Sequence, residues 1–141
     1  MKKVRWGVIG AGGIADRRTI PGMLLCDNAE LAAVMDVNGE LAETCRAKWG
    51  CKRAYTSEIT LLADPEIDAV YIASPVALHA GQAIAAAKAG KHILVEKPLA
   101  MTAEEGEQVA GLCEEQGVKL AAGLMMRFGS YVQAMKKAIA E

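Results

Sequence analysis

Three glycines bunched at the end of an apolar run are the first residues in this chain whose types and spacing could do chemistry. Gly10, Gly12 and Gly13 are followed by Ala15, giving G-x-G-x-x-A within VRWGVIGAGGIA (residues 4–15). A carboxylate, Asp36, follows 26 positions after Gly10 and 21 after Ala15. Bare backbone in such a turn can face an anion, and an acid roughly 20 residues on suits a ribose hydroxyl. In this reading Gly10 permits the tight turn and Gly12 lets a pyrophosphate approach the main chain. Ala15 lets the following helix pack close to the strand. Gly13 and Ile14 open that helix, which offers its unpaired N–H groups and positive dipole end to the phosphates.

The elements that would hold these residues alternate along the chain. Val4, Trp6, Val8 and Ile9 read as a buried parallel strand. A helix is expected over 13–19, with a break at Pro21 and a short helical piece to about Cys26. Residues 30–36 form a second strand that ends in Asp36. Asn38 caps a helix to about Trp49, which Gly50 stops. A short strand at 53–55 leads to a helical turn or two capped by Thr56 or Ser57, then an Asp64-Pro65 turn. Strands at 69–73, 92–95 and 119–124 alternate with helices at 76–89 and 102–116. The second of these opens on a T-x-x-E capping box, Thr102 and Glu105. Tyr131, Val132, Met135, Ala138 and Ile139 share one face of a last helix. This order predicts a doubly wound, three-layer parallel α/β sheet, a Rossmann-type dinucleotide-binding fold.

Composition narrows the function classes. The chain has 141 residues, 52% of them apolar, and a net charge of −1, which suits one globular domain. With no basic block, neither a nucleic-acid surface nor a polybasic membrane patch is indicated. Residues 69–87 carry no Asp, Glu, Lys or Arg, but Pro75, His79 and Gln82 interrupt them, so they read as strand, turn and helix rather than a membrane span. Cys26, Cys45, Cys51 and Cys113 form no C-x-x-C pair and have no histidine at ligand spacing. No metal site is expected; the cysteines read as reduced thiols of a cytoplasmic chain. The basic N-terminus is followed by glycines and charges, unlike a secretory signal.

Ligands of such sheets lie at the carboxyl ends of the strands. The loops there are 10–14, 36–38, 74–79, 96–98 and 125–128. IASPVALHA and ILVEKPLA follow strands four and five, and together with GAGGIA and AVMDVN they make the chain resemble the nucleotide domain of the glucose–fructose oxidoreductase and inositol dehydrogenase family. The E-K-P tripeptide, about 86 residues after the glycine turn, is the most specific part. The resemblance covers nearly the whole chain. It implies that residues 1–141 are an NAD(P)-binding domain without the family's C-terminal substrate domain, which contributes most of the substrate pocket.

The resemblance also implies roles. Lys97 is the expected catalytic residue, beside the nicotinamide and the reacting hydroxyl, where a cation stabilises developing oxyanion charge. Glu96 orients Lys97 or a cofactor ribose, and a cis Lys97–Pro98 bond would fix the lysine's approach. Ser74 and Pro75 match the turn beside the nicotinamide ribose. His79 matches a family histidine, although a histidine in a first helical turn more often packs or caps. Arg127 matches an arginine after strand six, near the cofactor or simply on the surface. Where the family has a Gly-Tyr or similar pair, this chain has Met125, Met126 and Phe128, read as packing residues. Asp36, followed by Val37 and Asn38 with no positive charge, predicts NAD over NADP. The expected cofactor contacts are therefore Gly10, Gly12, Gly13, Ile14, Asp36, Asn38, Ser74, Pro75, His79, Glu96 and Lys97.

The leading expectation is the cofactor domain of an NAD-dependent sugar or polyol oxidoreductase, binding NAD with little or no turnover as an isolated chain. An exposed apolar patch near 125–128 or along the last helix, and a homo-oligomer that hides it, follow from the missing domain. The alternative is a non-enzymatic NAD-sensing or interaction module. A site for S-adenosylmethionine is a third reading, against which E-K-P speaks.

Overall fold

The computed structural model describes residues 2–140. Six strands, β1 (Val4–Ile9), β2 (Ala29–Met35), β3 (Arg53–Tyr55), β4 (Ala69–Ile72), β5 (His92–Val95) and β6 (Leu120–Ala122), form one parallel sheet in the order β3-β2-β1-β4-β5-β6. The order reverses between β1 and β4, so their carboxyl ends flank a crevice. β2 and β4 are apolar on both faces because both are covered. Alternate residues feed two cores. Ile9, Val70, Ile72 and Val95 pack with α3 (Glu58–Leu62), α4 (His79–Lys88) and α5 (Ala103–Glu115). Val8, Val34 and Tyr71 pack beneath α1 (Ile20–Leu24) and α2 (Gly39–Trp49) on the other face. The doubly wound, three-layer architecture is the one expected.

Local chemistry accounts for the ends of the elements. Asn38 Oδ1 accepts the N–H groups of Glu40 and Leu41 at 3.1 and 3.2 Å, capping α2, and Gly50 ends that helix at φ 68°. Thr102 Oγ1 accepts from Glu105 N–H at 3.2 Å to cap α5. The Glu105 carboxylate reaches back to Met101 N–H at 2.9 Å, one residue before the partner a capping box uses.

The structure departs from expectation in three places. There is no break at Pro21; a π-helical turn (Ala15–Thr19) runs straight into α1. Ile20 N–H bonds to Ala15 O, five residues back. Proline lacks a donor and crowds the carbonyl four residues before it, so widening the preceding turn keeps the helix continuous. α4 begins at His79 after a separate 3₁₀ turn (Val76–Leu78), because Pro75 is held extended at ψ 139°. β6 is three residues long, shorter than the expected 119–124. The exposed apolar patch is where it was expected: the last helix, α6 (Ser130–Ala140), forms its apolar face and buries none of it, with Tyr131, Met135 and Ile139 exposed, as are Met125, Met126 and Phe128 in the 3₁₀ turn before it. Among the described residues, no helix is long and apolar enough to cross a membrane.

Candidate functional site

The glycine turn is pinned between its neighbouring strands. Gly10 and Ala11 donate to Met35 O at 2.9 and 3.1 Å, and Ala73 N–H reaches back to Ile9 O at 2.8 Å. Gly10 has φ 88°, and a Cβ there would lie 2.9 Å from Ala73 C, Ala73 O and Ser74 N. Only glycine satisfies both constraints. A cavity of about 370 Å³ opens over the turn, lined by Gly10, Gly12, Gly13, Asp36, Ser74 and Gln82 among others. Pro75 lines it too. Asp36 stands just past the end of β2. Its Oδ1 accepts Asn38 N–H at 3.0 Å, which leaves Oδ2 turned to other donors. Asn38 itself spends its side-chain oxygen on the α2 cap.

A second cavity, about 300 Å³, adjoins the first, and Ala73 and Ser74 line both. It is lined further by Ile14, His79, Glu96, Lys97 and Met125. Among the expected site residues, only Asn38 lines neither cavity. The Lys97–Pro98 peptide is cis, and Lys97 is exposed at the rim. Glu96 is held from both sides: Oε1 accepts from Tyr71 OH at 2.8 Å and Oε2 accepts Lys97 N–H at 3.1 Å. Tyr71 OH in turn accepts from Thr19 Oγ1 at 2.9 Å. Burial pushes the Tyr71 phenol well above its ordinary range, so it keeps its proton and donates to the carboxylate.

His79 is buried between two loops, with Nδ1 2.8 Å from Pro98 O and Nε2 2.9 Å from Ser74 O. Its ring ties the turn after β4 to the E-K-P loop. Ser74 Oγ donates to Gln82 Oε1 at 2.5 Å, and Gln82 Nε2 donates to Glu58 Oε2 at 2.5 Å. Arg127 is exposed and outside both cavities; its carbonyl accepts from Gln133 Nε2. Met125 lines the second cavity, whereas Met126 and Phe128 stay on the surface.

Thr19, Glu58, Tyr71 and Gln82 shape the site without belonging to any motif. The one visible hint is a polar tip inside an apolar strand, Tyr71, and inside an alanine-rich helix, Gln82. Arranged this way, the rim offers bare backbone and a helix N-terminus to phosphates, a free carboxylate oxygen to a hydroxyl, and a cation beside a polar wall.

Known proteins share this fold. The model of an oxidoreductase family with an NAD-binding Rossmann fold matches residues 4–124. A 1,5-anhydro-D-fructose reductase from Ensifer adhaerens is 38% identical over 137 residues, 97% of this chain and 41% of that protein. The WlbA dehydrogenase of Bordetella pertussis, solved with NADH and UDP-GlcNAcA, superposes with a TM-score of 0.92 at 36% identity, over 99% of this chain and 42% of that one. A 3-ketoreductase from Actinomadura kijaniata, solved with NADP and TDP-benzene, gives a TM-score of 0.93 at 28% identity, over 99% and 42%. The chain thus spans about two fifths of the length of these relatives.

Proposed function

Because this chain belongs to the Gfo/Idh/MocA oxidoreductase family, matched through its NAD-binding Rossmann fold, we propose that it is the cofactor domain of an NAD-dependent enzyme that oxidises or reduces a sugar, a polyol or a related compound. The observation that carries this reading is the pair of adjoining cavities, with Asp36 in one, Lys97 in the other and Ser74 shared. A dinucleotide has that shape: an adenosine end, two phosphates and a nicotinamide end.

The residues fit such a group. Gly10 lets the turn lie against the backbone of Ala73 and Ser74, where a side chain would clash, and the N–H groups at the start of the helix that follows would meet the pyrophosphate. Asp36 Oδ2 would accept from the adenosine ribose. Val37, Asn38, Gly39 and Glu40 bring no cation to a 2′-phosphate, so NAD is the preferred cofactor over NADP. When bound, the nicotinamide supplies or takes up the hydride. Lys97 would stabilise the negative charge that grows on the substrate oxygen as its proton leaves. Glu96, fixed by Tyr71 and by the Lys97 N–H, would set the direction from which the lysine approaches.

The relatives are longer than this chain, and a substrate domain of the kind the family resemblance implies would complete the substrate pocket beside Lys97. The exposed stripe from Met125 to Ile139 supports a surface meant for cover, by such a domain or in a homo-oligomer. The four free thiols suit a reducing, cytoplasmic setting. Joined to a substrate domain, Lys97→Ala should lower turnover by roughly 10²-fold or more and change NADH affinity by less than about threefold. Turnover that survives, or binding and turnover lost together, would count against the assignment.

A further inference from the structure

We infer that Glu58 and Gln82 make Ser74 an obligate hydrogen-bond acceptor toward the cavity, so that this point of the rim recognises an O–H or N–H donor of the ligand and turns away a phosphate oxygen. The inference rests on the dinucleotide reading of the cavity and names two positioning residues outside the family's motifs.

The argument is a proton inventory. A carboxylate has acceptors only, so the Gln82 group 2.5 Å from Glu58 Oε2 is its amide nitrogen. That choice settles the orientation of the Gln82 amide, which its shape alone does not reveal. Gln82 Oε1 then faces Ser74 at 2.5 Å and can only accept. A serine hydroxyl owns one proton, and here it is spent on Gln82. What remains at Ser74 Oγ is lone pairs. The buried His79 ring engages the Ser74 carbonyl and so holds the main chain that carries the hydroxyl in place. Gln82 is 6% exposed, so water does not compete well for the middle of the relay. Glu58 begins α3 and does not line the cavity, so its influence travels only through Gln82.

On a pyridine dinucleotide the fitting donors are a ribose hydroxyl and the carboxamide N–H₂. Both present hydrogen to an acceptor; a phosphate does not. Glu58→Gln removes the rule, since the new amide can donate or accept. Gln82 is then free to flip, and Ser74 to turn its proton into the cavity.

The test is a calorimetric titration of the chain with NADH, for wild type, Ser74→Ala, Glu58→Gln and the double variant. Ser74→Ala should weaken binding about 3- to 10-fold, the range for one neutral hydrogen bond. Glu58→Gln should weaken it about threefold when Ser74 is present and leave it unchanged when position 74 is alanine. That non-additivity is the signature of action through Ser74; a structural defect would cost the same in both backgrounds. Equal effects in both backgrounds, or none in either, would overturn the inference. ADP-ribose distinguishes the donors: a Ser74→Ala loss that persists points to a ribose hydroxyl, and one that vanishes points to the carboxamide.

A second measurement does not depend on binding. In the ligand-free ¹⁵N-labelled chain, the Gln82 side-chain amide should resonate apart from free glutamines, and Glu58→Gln should return it among them. A Gln82 signal already at the free position would overturn the relay. If wild type binds no dinucleotide, the functional reading fails, and the relay stands or falls on this signal.

Discussion

Asp36→Asn exchanges one atom on the wall of the cavity over the glycine turn, and the structure says which one. Oδ1 is committed to Asn38 N–H at 3.0 Å, a contact that asparagine keeps through its own oxygen. The fold of the loop and the cap on α2 therefore survive. The free Oδ2, an acceptor bearing charge, becomes an amide nitrogen, a neutral donor. A hydrogen bond to a charged group contributes about 1.5–3 kcal/mol and a neutral one about 0.5–1.5, so NAD should lose about 1–1.5 kcal/mol, roughly 5- to 15-fold in affinity. NADP should move the other way. A 2′-phosphate carries a charge of about −1.5 to −2. At about 5 Å in water its repulsion from a carboxylate is about 1.2–1.7 kcal/mol, and the new donor adds to the relief. The NAD-to-NADP preference should thus fall by roughly 100-fold. Fluorescence titration of NADH and NADPH against both proteins, with circular dichroism to check the fold, measures it. A ratio that moves by less than about threefold would refute the role given to Asp36, as would tighter binding of NADP by wild type.

Other consequences follow from single contacts. Gly10→Ala places a Cβ 2.9 Å from the backbone of Ala73 and Ser74 at φ 88°, so it should destabilise the fold by about 1–3 kcal/mol in chemical denaturation and abolish dinucleotide binding. Arg5 grips Asp68 through Nε and a terminal nitrogen at 2.9 and 2.7 Å and holds its carboxyl well below the usual range. Such a group adds stability above the ordinary carboxyl pKa of about 3.9 that is lost as the pH falls below it. Asp68→Asn should therefore lower the Tm at neutral pH, with the gap to wild type narrowing from about pH 4 downward. A gap independent of pH would exclude the ion pair as its cause. Burial pushes the Cys45 thiol up to about 11 and also raises Cys51 and Cys113, whereas Cys26 is exposed. One thiol should react quickly with iodoacetamide in the native chain and four after denaturation; rapid labelling of a second would show the packing to be looser.

Much of the fold was legible because its signals are local. Asn38, Thr102 and Gly50 each act within a few residues of themselves, so the helix ends they set could be read from the chain. Pro21 shows the limit: that a proline disturbs a helix is a local fact, but a π turn absorbing it depends on the core holding both sides in line. α6 shows another. Its period was readable, whereas what covers its apolar face was not. In the site, the glycines, Asp36 and E-K-P belong to motifs, and the structure gathers them at one rim. Tyr71 and Gln82 carry no motif because their partners, Glu96 and Glu58, lie 25 and 24 residues away and meet them only through the parallel order of the sheet. His79 was readable as a residue and not as a clamp, since Pro98 reaches it from the loop after another strand.

The account stands most directly on whether this rim takes up a dinucleotide. Titrating well-folded chain with NADH in a calorimeter should give a saturable isotherm with one site per chain, lost in Gly10→Ala. Absence of heat with NADH, NAD and NADP alike, from protein whose dichroism and thermal transition are those of a folded α/β domain, would contradict it.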